Sequence, residues 1–421
     1  MKESNYYLFD KNYIFESKYD FYETILKKIN TSIVDEILIN KDSINYFYIP
    51  KQKKLHFNFD KKTILIIIHE LSRTGAPMVA LDTAKILKDR GYFTTVITLK
   101  DGPLRQELTN FGIPVIVLKD LGIIQYTNSE FEMFNNNLDL DNFIKYFDKI
   151  IVITATLYNI IKRYMNTNKE IIWWIHEGSE SYQILAGKMP KMISPNIKVY
   201  CGGEYSLNQL KNYGYKYFPS VLNYGVHDVV KNKLNFNEEL VFLMAGTISK
   251  RKGQSIMLKA LKLMDRRIMK QAKFIFIGDA YESDYEGLEI KKELISFSKK
   301  NDNVLVLASI PREELFKLYD NIDVLVLASI DDPMPVVATE SFMKEKIVIC
   351  STETGTSYYV KDKKNGFVFK SGDSEELLEK LVYIIKNKDK LDVIAKEGRK
   401  IFENIFEMSK FEEKLLKIME D

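Results

Sequence analysis

Short apolar runs alternate with longer amphipathic stretches from Thr63 onward. Apolar runs of about four to eight residues are typical of buried strands, whereas apolar residues that recur every third or fourth position are typical of helices. In the first half of the chain we interpret as strands the residues 64–68, 93–99, 115–118, 150–153, 171–175 and 197–201, with a helix over 77–90. Buried strands that alternate with helices predict a parallel sheet with helices on both faces.

The same alternation restarts after the polar segment 231–235. The strands predicted there are 240–244, 274–277, 304–307, 324–327 and 347–349. We place the domain boundary at 223–228, which gives doubly wound α/β domains over 61–225 and 226–400 and an amphipathic helix within 401–421. The sequence Val-Leu-Val-Leu-Ala-Ser-Ile occurs at both 304–310 and 324–330, and we predict two neighbouring strands of similar burial.

Residues 1–60 form a separate, aromatic-rich extension. They contain Tyr6, Tyr7, Phe9 and Tyr13, together with the basic patch 51–54. Because so much aromatic surface is unfavourable in water, we expect the extension to pack on the first domain. Contact with an acceptor or a partner protein is the alternative.

Composition narrows the class of protein. A chain of 421 residues is too long for one ordinary core, which supports two domains. The net charge of +3, from 61 basic and 58 acidic residues, does not favour a nucleic-acid binder. Cys201 and Cys350 each end an apolar run, so we expect buried free thiols in a reducing compartment. Without a signal-peptide pattern or an apolar run of about 20 residues, we expect a cytoplasmic protein, with contact to the inner face of the plasma membrane left open.

Two carboxylates, Asp332 and Glu340, lie eight positions apart after the strand 324–327. Pro335 suits the first turn of a helix, so one acid lies on the loop and the other about one turn into the helix. Ligands of α/β sheets bind beyond the carboxyl ends of the strands, and both acids should face that crevice. The alternative is a solvated loop acid plus a helix acid that the helix dipole favours.

Three further loops follow predicted strands. The loop 246–254 brings Arg251 and Lys252 next to a helix N-terminus, where cations and backbone N–H groups can bind a diphosphate, although a solvated basic turn is the alternative. Gly75, in the loop 69–77, would let the backbone approach a ligand closely, but the dinucleotide fingerprint of dehydrogenases is missing. His176 directly follows the strand 171–175, so it should lie near the same crevice. The alternative is a structural histidine that does not bind a ligand.

Taken in order, these motifs resemble those of retaining family-4 glycosyltransferases. Asp332 and Glu340 are similar to the acid-x7-acid signature of that family, which usually begins with Glu. The loop 246–254 resembles its Gly-Arg-x-x-x-x-Lys-Gly phosphate segment, with Thr247 in place of the early Arg and Arg251 as a substitute charge. The segment 223–228 resembles its interdomain linker, with one residue inserted.

The resemblance implies the GT-B fold, in which two Rossmann-like domains face a central cleft and the last helix crosses back to the first domain. It also implies metal-independent, retaining transfer from a nucleotide-sugar, without a cofactor. By resemblance His176 would orient the sugar, Arg251 and Lys252 would stabilise the diphosphate, Asp332 would hold a sugar hydroxyl, and Glu340 would bind the ribose. The remaining donor-binding residues expected are Gly75, Gly246, Thr247, Pro333, Met334, Pro335 and Val336.

We expect a UDP-sugar donor and a glycan, glycolipid or glycoprotein acceptor, in bacterial surface polysaccharide or glycoprotein assembly. Contact with a membrane surface or a partner protein stays open, and no nucleic-acid partner is expected. One alternative is a non-catalytic GT-B subunit that partners an active transferase through residues 1–60. Another is a different GT-B chemistry, such as a sugar epimerase or a phosphorylase. We discount Asp139-Leu140-Asp141 as a metal motif because it does not follow a strand.

Overall fold

A computed structural model describes residues 62–118, 144–185, 187–229, 236 and 238–420, together with two short strands at Glu36–Leu38 and Tyr46–Tyr48. Within this part of the chain, two sheets each carry helices on their faces. The predicted pair of Rossmann-like domains is therefore confirmed. The Asp139-Leu140-Asp141 segment and the rest of the aromatic extension lie outside the described residues.

The first sheet has nine strands among the described residues, in the order β1-β2-β5-β4-β3-β6-β7-β8-β9. Strands β3 to β9 pair in parallel, and β1 and β2 add antiparallel at the β5 edge. The strands are β1 (Glu36–Leu38), β2 (Tyr46–Tyr48), β3 (Thr63–Glu70), β4 (Phe93–Lys100), β5 (Val115–Val117), β6 (Lys149–Ile153), β7 (Glu170–Ile175), β8 (Ile197–Cys201) and β9 (Ser220–Val221). The helices are α1 (Gly75–Asp89), α2 (Leu104–Asn110), α3 (Tyr158–Tyr164), α4 (Ser179–Leu185) and α5 (Glu204–Asn212), with a 3-10 turn at Ala155–Leu157.

The second sheet is parallel, with the order β12-β11-β10-β13-β14-β15 in the described part of the chain. Its strands are β10 (Leu240–Ala245), β11 (Ala272–Ile277), β12 (Val304–Leu307), β13 (Val324–Leu327), β14 (Ile347–Ser351) and β15 (Phe367–Phe369). Its helices are α6 (Gln254–Leu263), α7 (Arg266–Met269), α8 (Tyr285–Ser298), α9 (Arg312–Leu318), α10 (Val336–Met343), α11 (Ser374–Lys386) and α12 (Leu391–Ile401). Short turns at Tyr319–Asn321, Gly355–Tyr358 and Lys388–Lys390 and a π-turn at Phe402–Phe406 precede the last helix, α13 (Met408–Glu420).

The predicted strands agree with the structure to within about two residues, because the apolar runs of the inner strands are buried on both faces of their sheet. Cys201 and Cys350 are buried free thiols, as predicted. Trp173 and Trp174 on β7 are also fully buried, which makes them core residues. The short strands β9 and β15 were missed because two or three residues are too few for a periodic signal.

The interpretation of the repeated heptapeptide was wrong. Its first copy forms the edge strand β12, in which Leu305 and Leu307 are each 43% exposed, whereas its second copy forms the fully buried strand β13. Strands β11 and β10 lie between them. The same seven-residue sequence therefore begins with an edge strand in one copy and with a central strand in the other. The topology of the sheet, and not the local sequence, decides which strands become neighbours.

The chain passes between the domains twice, and the two crossings lie side by side. Val226 donates its N–H to the carbonyl of Phe406 (2.8 Å) and accepts from Met408 N–H (3.1 Å). Helix α13 then packs on the first domain, where the Phe411 ring lies 5.6 Å from that of Trp174. The two crossings therefore connect the domains at one place. No helix in the described part of the chain is long and apolar enough to span a membrane.

Candidate active site

The loop that follows β13 carries the first of the two predicted acids. Asp332 is 7% exposed, and its Oδ2 accepts a hydrogen bond from Lys252 Nζ at 2.7 Å. Its backbone N–H donates to Glu353 (3.0 Å), and its carbonyl accepts from Gly355 N–H (2.8 Å). Two predicted site residues from loops 80 positions apart are therefore in direct contact at the carboxyl ends of neighbouring strands.

The basic loop between β10 and α6 is held in place by backbone contacts. Gly253 has a positive φ of 75°, and a Cβ at this position would lie 1.9 Å from the Ala328 carbonyl oxygen, so the loop requires glycine here. The Arg251 carbonyl accepts from Ile330 N–H (2.8 Å), and Thr247 accepts from Gln254 Nε2 (2.9 Å). These contacts fix the backbone positions of Arg251 and Lys252.

Arg251 is the second cation of this loop. Its Nη1 donates to the backbone carbonyl of Asp331 at 2.7 Å, and its Nε lies 3.8 Å from the Glu180 carboxylate of the first domain. The side chains of Arg251 and Lys252 are 37% and 23% exposed. Both remain accessible to an anion that enters between the domains, which is the arrangement that a diphosphate requires.

A cavity of about 370 Å³ lies between the two domains, which is near the lower end of the size range of small-molecule sites. Its lining is mostly polar and comes from both domains. The first domain contributes His69, Thr74, Ala76, Pro77, Thr154, His176, Glu177, Gly178, Glu180 and Ser181, and the second contributes Arg251, Asp331 and Pro333.

His176 lies directly after β7 and faces this cavity. Its Nδ1 side abuts Gly202, where a Cβ would lie 2.6 Å from Nδ1, and its Nε2 has no hydrogen-bond partner among the described residues. Burial lowers the pKa of His176 to about 3, and the charge of His69 adds to the effect. The imidazole is therefore neutral near pH 7, and it can bind a sugar hydroxyl but cannot serve as a general acid.

Two neighbours of His176 also line the cavity. Burial lowers the pKa of His69, whose Nδ1 has no hydrogen-bond partner in the described part of the chain. Burial raises the pKa of Glu177, although backbone hydrogen bonds from Ala155 and Thr156 oppose that shift. Glu177 thus binds the backbone of the loop after β6. His69 presents a second neutral imidazole to the cavity. Like His176, His69 lies at the carboxyl end of its strand, and that position is the signal that could have identified it.

Glu340 lies in α10 and is 2% exposed. Its Oε1 accepts from Arg312 Nη2 (2.7 Å) and Nε (3.2 Å), and its Oε2 accepts from the Tyr319 hydroxyl (3.0 Å). The sequence predicted Glu340 but neither partner. Arg312 is the first residue of α9, shortly after β12 ends, and this position beyond a strand end could have identified it as a site residue. No feature of the local sequence indicated Tyr319.

The other predicted donor-binding residues lie around this region. Gly75 is the exposed first residue of α1, next to the cavity-lining Thr74 and Ala76, and a Cβ there would have no atom within 4 Å. Gly246 has a φ of 143°, and a Cβ at this position would have one neighbour within 4 Å, Lys252 Cε at 3.9 Å. Pro333 lines the cavity, Met334 packs on Gly203 of the first domain, Pro335 caps α10, and Val336 begins it.

Asp82 is a largely buried acid on helix α1 of the first domain. Burial raises the pKa of Asp82, on α1, to about 6. The charges of Lys85, His227 and Arg312 oppose the rise and that of Glu107 adds to it. His227 is in the linker and Arg312 is in the second domain, so charges from outside the first domain also act on the pKa of Asp82.

The raised pKa of Asp82 predicts how stability depends on pH. The folded protein holds this proton more tightly than the unfolded chain, so the contribution of Asp82 to stability is greatest below its ordinary pKa of 3.8 and falls as the pH rises through about 6. We expect Asp82→Asn to raise Tm by about 1 to 3 °C at pH 7.5, with a gain that disappears towards pH 4. Thermal melts of both proteins from pH 4 to 8 measure this, and a gain that does not depend on pH would contradict it.

Within the residues that the structure describes, no group of three or more His, Cys, Asp or Glu side chains is arranged to hold a metal ion. Metal independence of the chemistry stays a prediction, which chelation tests below.

Comparison with known sequences places both halves of the chain in related families. The family "Glycosyl transferases group 1" matches residues 227–401, and "Glycosyl-transferase family 4" matches residues 60–194. The first match covers Arg251, Lys252, Asp332 and Glu340, and the second covers His176. The two matched ranges therefore include predicted site residues from both halves of the chain.

Two curated relatives are similar over part of the chain. The chain is 23% identical to spore coat protein SA of Bacillus subtilis over 244 residues, which is 56% of this chain and 62% of that protein. It is 25% identical to lipopolysaccharide 1,2-N-acetylglucosaminetransferase of Salmonella typhimurium over 181 residues, 42% of this chain and 47% of that protein. The matches thus span about three fifths and about half of the lengths of these relatives.

Among solved structures, Alr3699/HepE of Anabaena in complex with UDP and glucose matches with a TM-score of 0.67 and 18% identity. The match covers 86% of this chain and 100% of that one. At this identity the likeness is one of fold, and it supports the two-domain architecture described above.

Proposed function

Because the chain belongs to the group 1, family 4-like glycosyltransferases of GT-B fold, we propose that it transfers a sugar from a nucleotide-sugar donor to a glycan, glycolipid or glycoprotein acceptor. The observation that carries the proposal is the contact between Lys252 and the buried Asp332, next to Arg251 and Asp331, which line a cavity between the domains. A cationic pair next to a sugar-sized polar cavity suits a donor with a diphosphate leaving group.

Each proposed site residue has a role that suits its chemistry. Arg251 and Lys252 would stabilise the negative charge that builds on the diphosphate as the glycosidic bond breaks. Asp332 orients the Lys252 ammonium and would accept a hydrogen bond from a sugar hydroxyl. His176, neutral because of burial, would bind another hydroxyl through Nε2. Glu340 would bind the ribose, and that requires it to share or exchange its present contact with Arg312.

Aspartate at position 332 is compatible with this role. Its side chain is one methylene shorter than the usual glutamate, which sets the carboxylate back by about 1.5 Å. The 2.7 Å contact with Lys252 supports the view that the loop carries the shorter acid far enough forward to engage the cation.

We propose retention of the anomeric configuration through a front-face displacement, in which leaving group and acceptor share one face of an oxocarbenium-like sugar. The residues that line the cavity offer one cation, Arg251, together with hydroxyls and neutral imidazoles. The carboxylates among them are engaged: Asp331 and Glu177 accept from backbone N–H groups, and Glu180 lies beside Arg251. None of them is presented as a covalent nucleophile. The two basic side chains would replace a metal ion in neutralising the diphosphate.

We further propose a UDP-sugar donor and a role in bacterial surface polysaccharide or glycoprotein assembly. The Anabaena neighbour is described in complex with UDP-glucose, and one relative is named for lipopolysaccharide synthesis. A cytoplasmic location, with contact at the inner face of the plasma membrane or with a partner protein, is part of this proposal.

Donor turnover tests the proposal. The purified chain is incubated with UDP-, GDP-, ADP- and dTDP-sugars and 4-nitrophenyl glycosides as acceptors, with and without EDTA, and released nucleotide is measured. We expect release from one class of donor, unaffected by EDTA, and proton NMR of the first product should give the anomeric configuration of the donor. Nucleotide release only with added metal would contradict metal independence, and a product of inverted configuration would contradict retention. No release from any donor would favour a non-catalytic role.

A further inference from the structure

Asp331 precedes the predicted acid Asp332 and contacts both domains. Its side chain is 5% exposed, and it reaches across the cleft to the start of α4 in the first domain. There Oδ1 accepts from Ser179 N–H (3.1 Å) and Oδ2 accepts from Glu180 N–H (2.8 Å). The first N–H groups of a helix lack partners within the helix, so this carboxylate from the other domain satisfies them.

Two further features show that the contact is closely fitted. The Tyr205 hydroxyl, at the start of α5, donates to Asp331 Oδ1 at 2.8 Å. A Cβ on Gly178 would lie 2.2 Å from the same oxygen, so the approach requires glycine at 178. The carboxylate thus receives three hydrogen bonds from the first domain, and it lies against Gly178, which has no side chain.

The backbone of Asp331 connects this contact to the proposed chemistry. Its carbonyl accepts from Arg251 Nη1 at 2.7 Å, and the next residue, Asp332, holds Lys252. Gly178, Glu180, Arg251 and Asp331 all line the same cavity. A change in the distance between α4 and this loop would therefore move both cations relative to the sugar-facing wall that contains His176.

We propose that Asp331 is a positioning residue that binds the start of α4 across the cleft and so places Arg251 and Asp332 against the first-domain wall of the cavity. The inference rests on the proposed function for its kinetic consequence, but the contact itself is measurable without turnover. Donor binding relies mainly on second-domain groups, whereas reaction needs both walls in place. Loss of the contact should therefore lower kcat more than it weakens donor binding.

The test alters the contact from each side. Asp331→Asn keeps the size but replaces one acceptor oxygen with an NH2 group that opposes a backbone N–H, and Gly178→Ala places a methyl group against the carboxylate. Each is expected to lower kcat by about 10- to 100-fold, with a change of less than about threefold in the dissociation constant for UDP. Because both changes remove one contact, the double variant should lose little more than either single variant. Ile184→Ala, at an exposed position of the same helix, is the matched control that should keep wild-type kcat.

A distance measurement separates this inference from the proposed function. Spin labels are attached at Phe218→Cys in the first domain and Tyr285→Cys in the second, both exposed, while the native cysteines are buried. The wild type should give a narrow distance distribution that broadens in Asp331→Asn and Gly178→Ala. Unchanged distances, or full kcat in a folded Asp331→Asn protein, would overturn the inference. If no donor is turned over, the proposed function fails, and the distances alone decide on the contact. A lower Tm with unchanged kcat and distances would show a purely local stabilising role and would also overturn it.

Discussion

Lys252→Ala is expected to lower kcat/KM for the donor by about 100- to 1000-fold, because it removes one preorganised charge from the developing diphosphate. Asp332→Ala is expected to lower kcat/KM at least about 100-fold, because it frees the Lys252 ammonium and removes the proposed sugar contact. Lys250→Ala is the matched control, since that neighbour points to Glu286 (3.0 Å), is 66% exposed and should leave turnover unchanged. Steady-state kinetics with the preferred donor measure all three.

Lys252→Ala also leaves the buried Asp332 carboxylate without its cation, so part of any loss could come from instability. A second variant, Lys252→Ala with Asp332→Asn, removes the unpaired charge and should recover Tm without recovering activity. Near-wild-type turnover in Lys252→Ala, or recovery of turnover in the double variant, would contradict the assigned role of this pair.

Glu340→Ala is expected to reduce both stability and activity. It removes the acceptor of Arg312 and of the Tyr319 hydroxyl from a site that is 2% exposed, which should lower the free energy of unfolding by about 2 to 4 kcal/mol. Because Arg312 is 46% exposed, water can solvate its guanidinium, and we expect the lower half of that range. The loss of the proposed ribose contact should lower kcat/KM at least about 100-fold.

Tyr319→Phe is the matched control for Glu340→Ala, because it removes one hydrogen bond and keeps the ring. It should cost about 1 kcal/mol and little activity. Denaturant unfolding and donor kinetics of both variants separate the two effects. A Glu340→Ala protein that is destabilised but turns over donor normally would show that Glu340 is structural only.

The strand positions and the convergence of the loops that carry Lys252 and Asp332 followed from the sequence by one physical rule, although the direct contact between the two side chains was not predicted. Parallel strands end at a common edge, so polar residues that follow apolar runs converge there even when they are 80 positions apart. His176 lines the cavity between the domains, together with Arg251, for the same reason. The rule requires only the burial pattern of each strand, which local sequence determines well.

Other features depend on how the domains and strands are arranged, and local sequence does not contain that information. The sequence did not identify Asp331 as an interdomain contact, because its partners, Ser179 and Tyr205, are 126 or more positions away in the other domain. The pairing of Glu340 with Arg312 needs the order of strands in the second sheet. The same dependence explains the two environments of the repeated heptapeptide.

The central claim is that Arg251 and Lys252 form a metal-independent site for the diphosphate of a nucleotide-sugar. The most direct test is the shift in Tm that UDP-glucose produces, in the presence of EDTA, in the wild type, in Arg251→Ala/Lys252→Ala and in Lys250→Ala. A ligand at a hundred times its Kd adds about 2.7 kcal/mol of stability, which should raise Tm by a few degrees. We predict this rise in the wild type and in Lys250→Ala, and its loss in the double variant. An equal rise in all three proteins would contradict the account.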